Sequence, residues 1–180
     1  MLVASERSLV FDAPFKPTIL MTNYFIGAVV SDEQGISHFE CWTFELQASG
    51  AIPSADAYAF LLGGLDGTNY NVHPVGGDAG AQFHLAPSPQ YIIYLSGAAE
   101  YALPNSTQTF LATAGDIVII VDSASMGAKY GHTTNYSVGA TNLGSPFTNG
   151  VIPPHNVIST TGPCTLYNPP YTLPANATTG

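Results

Sequence analysis

The chain has 180 residues, the length of a single domain, and only 8% of them are charged, against roughly 25% in an average globular protein. Three basic residues, Arg7, Lys16 and Lys129, stand against twelve acidic ones, giving a net charge of −9. That balance excludes a basic surface for nucleic acid or an anionic membrane, and no run reaches the ~18 apolar residues of a spanning helix.

Taken in chain order, the elements read as strands. Met1 to Arg7 lacks the charged head and apolar centre of a signal peptide. Residues 18–30 are β-branched and aromatic, and Asp32-Glu33-Gln34-Gly35 breaks them as a turn. Residues 36–46 follow as a second strand, whose period of two places His38, Glu40, Trp42 and Phe44 on one face. Residues 55–65 are ambiguous: Ser54 suits the cap of a short helix that Gly63-Gly64 ends. Asp66 to Asn69 reads as a turn, and His73, before Pro74, as part of an exposed loop. Residues 91–95 and 117–121 are unbroken apolar runs expected to be interior strands. Between them Pro104-Asn105-Ser106-Thr107 makes a hairpin, with residues 108–111 returning. From Asn142 onward Gly, Pro, Asn and Thr dominate, so residues 142–180 are expected to wrap the surface as irregular chain and short edge strands. His155, after Pro153-Pro154, falls in that surface tail.

The two cysteines, Cys41 and Cys164, either bridge an early strand to the tail or remain buried thiols. Sequons begin at Asn105, Asn135 and Asn176. A surface resting on Ser, Thr, Asn and Gln, with little lysine, points towards a secreted protein. Many short strands and no repeat imply an all-β sandwich or barrel. No nucleophile elbow, Walker loop, Cys-x-x-Cys, His-Glu-x-x-His or dinucleotide fingerprint is present.

Four ordered blocks carry a family likeness. They are Ser37-His38-Phe39-Glu40, His84-Leu85-Ala86-Pro87-Ser88-Pro89-Gln90, Leu95-Ser96-Gly97-Ala98-Ala99-Glu100, and Gly115-Asp116 followed by Asp122 and Gly131-His132. Together they resemble a subgroup of cupins across residues 20 to 140. The resemblance implies one cupin-type jelly-roll barrel spanning 1–180, with its core at about 18–140. It also implies a small-molecule site in the barrel mouth, and pairing of two copies through edge strands is a reasonable default. His84 takes the place of the first motif's leading histidine, Ala86 that of its second histidine, Gln90 that of its glutamate, and His132 that of the second motif's histidine. The stretch from Gly115 to His132 is longer than the family pattern, which enlarges the loop around Met126 to Tyr130.

The departures bear on chemistry. Metal-binding cupins use three histidines and a carboxylate to hold iron, zinc, manganese, nickel or copper. This chain offers His84, His132 and the neutral amide of Gln90, with His73 or the His38–Glu40 pair as further donors. The metal-free alternative is acid–base chemistry by His84 and His132, with Gln90 or a tyrosine stabilising an oxyanion. In both, His38, Glu40, Trp42, Tyr91 and Tyr94 are the expected substrate-binding residues. The expected activity is isomerase, cyclase, lyase or oxygenase chemistry on a small oxygenated metabolite. The alternative class is a non-catalytic barrel that binds a sugar or small apolar ligand. Asp116 and Asp122 read as turn and strand-end residues.

Overall fold

A computed structural model describes residues 23–48, 58–59, 62–78 and 82–164. Their strands are β1 (Asn23–Ser31), β2 (Ser37–Glu45), β3 (Gln47–Ala48), β4 (Tyr58–Ala59), β5 (Asn69–His73), β6 (Gly77–Asp78), β7 (Gln90–Ser96), β8 (Ala98–Ala102), β9 (Thr109–Thr113), β10 (Ile117–Ile120), β11 (Thr133–Tyr136), β12 (Ala140–Pro146) and β13 (Asn156–Ser159). The fold is all-β, with two single-turn 3-10 segments, Ala124–Met126 and Thr148–Gly150. A seven-stranded sheet runs β13-β2-β1-β10-β7-β12-β5, a four-stranded sheet runs β6-β11-β8-β9, and β3 pairs with β4. Within these sheets the pairs β5/β12, β6/β11, β7/β10 and β8/β9 are all antiparallel and nest one inside another. β1 lies parallel to β10 and carries β2 on its other side.

The two sheets share one core. Val29, Phe39, Ile92, Tyr94, Val118 and Ile120 from the large sheet meet Ala99, Tyr101 and Ala112 from the small one. Alternation sends Ile26, Trp42, Phe44, Tyr91, Ile119 and Val121 to the outer face of the large sheet, where Phe147 and the loop residues Leu62, Leu65 and Ile152 cover them. Burial on both faces explains why 91–94 and 117–121 are unbroken apolar runs rather than alternating ones, whereas Leu95 is exposed. Close packing also sets a glycine: a Cβ on Gly27 would sit 2.6 Å from the Phe110 ring.

Local chemistry accounts for the turns. Asp32 Oδ1 accepts from the amides of Gln34 and Ile36, closing the β1–β2 turn. Asp116 Oδ2 accepts from the Thr113 amide and hydroxyl, closing the β9–β10 turn. Asn105 is exposed in the β8–β9 turn and Asn135 is exposed on β11, while Asn176 lies outside the described residues. Cys41 and Cys164 form a disulfide that ties β2 to the segment after β13.

Three expectations are corrected. Residues 140–146 are an interior strand paired on both sides, not the start of an irregular tail; its alternate side chains are buried despite their Asn, Thr and Gly composition, because Asn142 finds amide and imidazole partners inside. Residues 69–73 are a strand, which places His73 half-buried rather than in an exposed loop. Residues 62–65 are not helical, and most of the remaining ambiguous stretch lies outside the described residues.

Candidate functional site

The segment between β6 and β7 carries His84 across the end of β10. His84 and His132 exchange both backbone hydrogen bonds, at 2.9 and 3.0 Å, as an isolated antiparallel bridge. Two residues on, the Ala86 amide donates to the Asp122 carbonyl at 3.2 Å. Gly131 makes the approach possible: its φ is +75°, and a Cβ there would lie 2.0 Å from the His84 carbonyl oxygen. The imidazoles therefore meet, with ring centroids 4.9 Å apart. His84 faces solvent and His132 is buried.

Behind His132 stands Asp122, whose side chain has no exposure. His132 Nδ1 donates to its carboxylate at 2.8 and 3.0 Å, and Ser37 Oγ donates to Oδ2 at 3.1 Å. A carboxylate can only accept, so the Nδ1–H tautomer is the one this contact selects. Nε2 is left with its lone pair, which is the arrangement of a histidine base oriented by a buried carboxylate. The sequence marks Asp122 as a strand-end residue and Ser37 only as part of a motif. The signal for both was their place in the ordered blocks, yet nothing in the spacing revealed that β2 and β10 converge on one histidine.

Deeper in the same core lies a second polar group. The Tyr94 and Tyr101 hydroxyls hydrogen bond at 2.6 Å, and the Tyr101 ring centroid is 5.7 Å from that of His132. Burial drives the phenols of Tyr94, Tyr101 and Tyr136 above their ordinary range, so they remain neutral. Tyr136 stacks on His73 at 3.5 Å. Asn142 donates to His73 Nε2 at 3.1 Å and accepts from Asn71 at 2.9 Å. Burial lowers the His73 pKa, which suits a ring that accepts this hydrogen bond.

The expected site residues do not share one pocket. His84, His132, Gln90 and Tyr94 lie on the inner side of the large sheet, and His38, Glu40, Trp42 and Tyr91 on its outer side, because β2 and β7 alternate. Among the described residues no hydrogen bond links Gln90 to either histidine; its side-chain oxygen lies over Gly144. Tyr91 is fully buried, packed edge-on against Phe147 at 4.7 Å. Tyr94 is core, and Ala86, which the resemblance to cupins sets in place of a histidine, is a core contact too. On the outer side His38 Nε2 donates to Glu40 at 3.1 Å, and Trp42 Nε1 donates to the other Glu40 oxygen. His155, expected on a surface tail, stacks on Trp42 at 3.7 Å.

The donor set does not suit a resident metal. Two imidazoles meet, and no third histidine, cysteine or carboxylate joins them as a ligand among the described residues. Among the described residues no group of three or more His, Cys, Asp or Glu is placed to hold an ion. No family model, no curated protein and no solved structure matches this chain.

Proposed function

We propose that this protein is a jelly-roll enzyme of cupin type that moves a proton on a small oxygenated metabolite, with His132 as the base. The nested strand pairs and the orders β5-β12-β7-β10 and β6-β11-β8-β9 support the jelly-roll reading. The observation that carries the function is the buried Asp122–His132 pair beside solvent-facing His84. A carboxylate-held imidazole with a free Nε2 accepts a proton from carbon next to a carbonyl, giving an enolate and an imidazolium that Asp122 stabilises. His84, in contact with water, returns or releases the proton. This serves isomerisation, cyclisation or elimination. The disulfide favours an oxidising, secreted setting.

Proton transfer leaves a record even when no net product forms. Incubated in D2O with 2-keto acids, 2-hydroxy ketones and cyclic enols, the protein is expected to catalyse deuterium incorporation into at least one class, read by mass spectrometry. His132→Ala is expected to cut that rate by about 10²–10⁴-fold, the usual share of a positioned base. Ligand binding without exchange in any class, graded in His84→Ala and His132→Ala, would instead mark a non-catalytic binding barrel.

A further inference from the structure

We propose a second ligand site on the outer face of the large sheet, separate from the His84–His132 site, that takes a small apolar amine as its cation. A cleft of about 230 Å³ opens there, lined mainly by Val30, Trp42, Val121 and Ile152, with Glu40, His155 and Ser31 as its polar residues. It is smaller than a typical drug-sized pocket of about 300–1,000 Å³, so its occupant is small.

The polar groups set the charge of that occupant. Both Glu40 oxygens are already fixed, one by His38 Nε2 and the other by Trp42 Nε1. The carboxylate is thereby aimed, and its side chain keeps 13% of its surface, enough for a further donor. A carboxylate oxygen has lone pairs for more than one hydrogen bond. His155 Nδ1 donates to the Pro153 carbonyl at 2.8 Å, so in the neutral ring Nε2 is an acceptor. Two acceptors beside an apolar wall, with Ser31 as a further polar residue whose hydroxyl can also accept, recognise a donor-bearing head and a hydrocarbon body. An ammonium group satisfies both, since it carries three donors and a positive charge. An anion meets the opposite case, because no Lys or Arg lines the cleft and the chain carries a net charge of −9. Val121 faces this cleft while its neighbour Asp122 faces His132, so the chain leaving β10 separates the two sites rather than joining them.

Trp42 is the only tryptophan in the chain, so its fluorescence reports on this cleft alone. The full protein is titrated with 2-phenylethylamine, with 2-phenylethanol and 3-phenylpropanoate as neutral and anionic counterparts. The expected result is a saturable change in Trp42 emission, at least about tenfold tighter for the amine than for either counterpart. Glu40→Gln is expected to remove most of that preference, while His84→Ala leaves the titration unchanged, so the cleft is tested independently of the proposed activity. If Glu40→Gln fails to fold, Ile152→Phe, which fills the cleft from its loop, is expected to abolish the amine response. Equal responses to all three probes, no saturable response to the amine, or an unchanged response in whichever variant folds, would overturn the proposal.

Discussion

At the scale of single residues, the same side-chain type does different work on the two faces of one sheet. Tyr94 and Tyr91 lie three residues apart on β7 and are both fully buried. The Tyr94 hydroxyl is paired with Tyr101, whereas the Tyr91 hydroxyl has no partner among the described residues. A buried hydroxyl without a partner loses its hydration for nothing in return, a cost of about 1–3 kcal/mol. Tyr91→Phe is therefore expected to leave the protein as stable or up to ~1–2 kcal/mol more stable, measured by denaturant unfolding. A loss above about 1 kcal/mol would show that the hydroxyl is satisfied. His73 makes a pH-dependent prediction. Its pKa is lowered by burial from 6.5, while the unfolded chain keeps the ordinary value. Below pH 6.5 the unfolded chain takes up a proton that the folded chain refuses, so stability falls as the pH drops from there towards the lowered folded value. Above pH 6.5 neither form holds that proton and the contribution is constant. His73→Gln is expected to flatten this slope in unfolding curves recorded between pH 7 and pH 5; an unchanged slope would place its origin elsewhere.

At the scale of elements, the site depends on a close crossing of backbone. His84 and His132 come from separate segments and pair only because Gly131 lacks a side chain and holds a positive φ. Gly131→Ala is expected to cost at least ~3 kcal/mol, combining backbone strain with a clash against the His84 carbonyl. Thermal and denaturant unfolding measure it, and a loss below about 1 kcal/mol would show that the bridge can part without harm. This crossing was only partly legible in the sequence. The apolar runs of β7 and β10 and the motif positions of His84 and His132 were readable, because burial on both faces and turn-forming glycines leave strong local marks. β12 was not, because its Asn, Thr and Gly residues resemble a loop until Asn142 is seen bonded to Asn71 and His73. The period of β2 correctly grouped His38, Glu40 and Trp42. It carried no information about which face of the sheet His132 would occupy, and so the expected site residues are divided between two faces.

For the whole molecule, the disulfide is the longest-range covalent constraint. Cys41 and Cys164 are separated by 123 positions. Closing a loop of that length in the unfolded chain corresponds to about 5 kcal/mol in the chain-entropy treatment. The Cys41→Ser, Cys164→Ser double variant is expected to lose several kcal/mol, read as a lower denaturant midpoint; a midpoint unchanged from the oxidised protein would mean that the nested strand pairs hold β13 unaided. The two polar regions divided by the large sheet have separate logic. In the proposals above, the inner one moves a proton and the outer one holds a small cation.

The proposed chemistry rests on Asp122 holding His132 as a base with its Nε2 free. Nitrogen-15 NMR of the histidine-labelled protein reads this from the tautomer of His132 in the native chain and in Asp122→Asn. The Nδ1–H form is expected in the native protein, with a loss of that preference in the variant. A native His132 carrying its proton on Nε2, indifferent to Asp122→Asn, would contradict it.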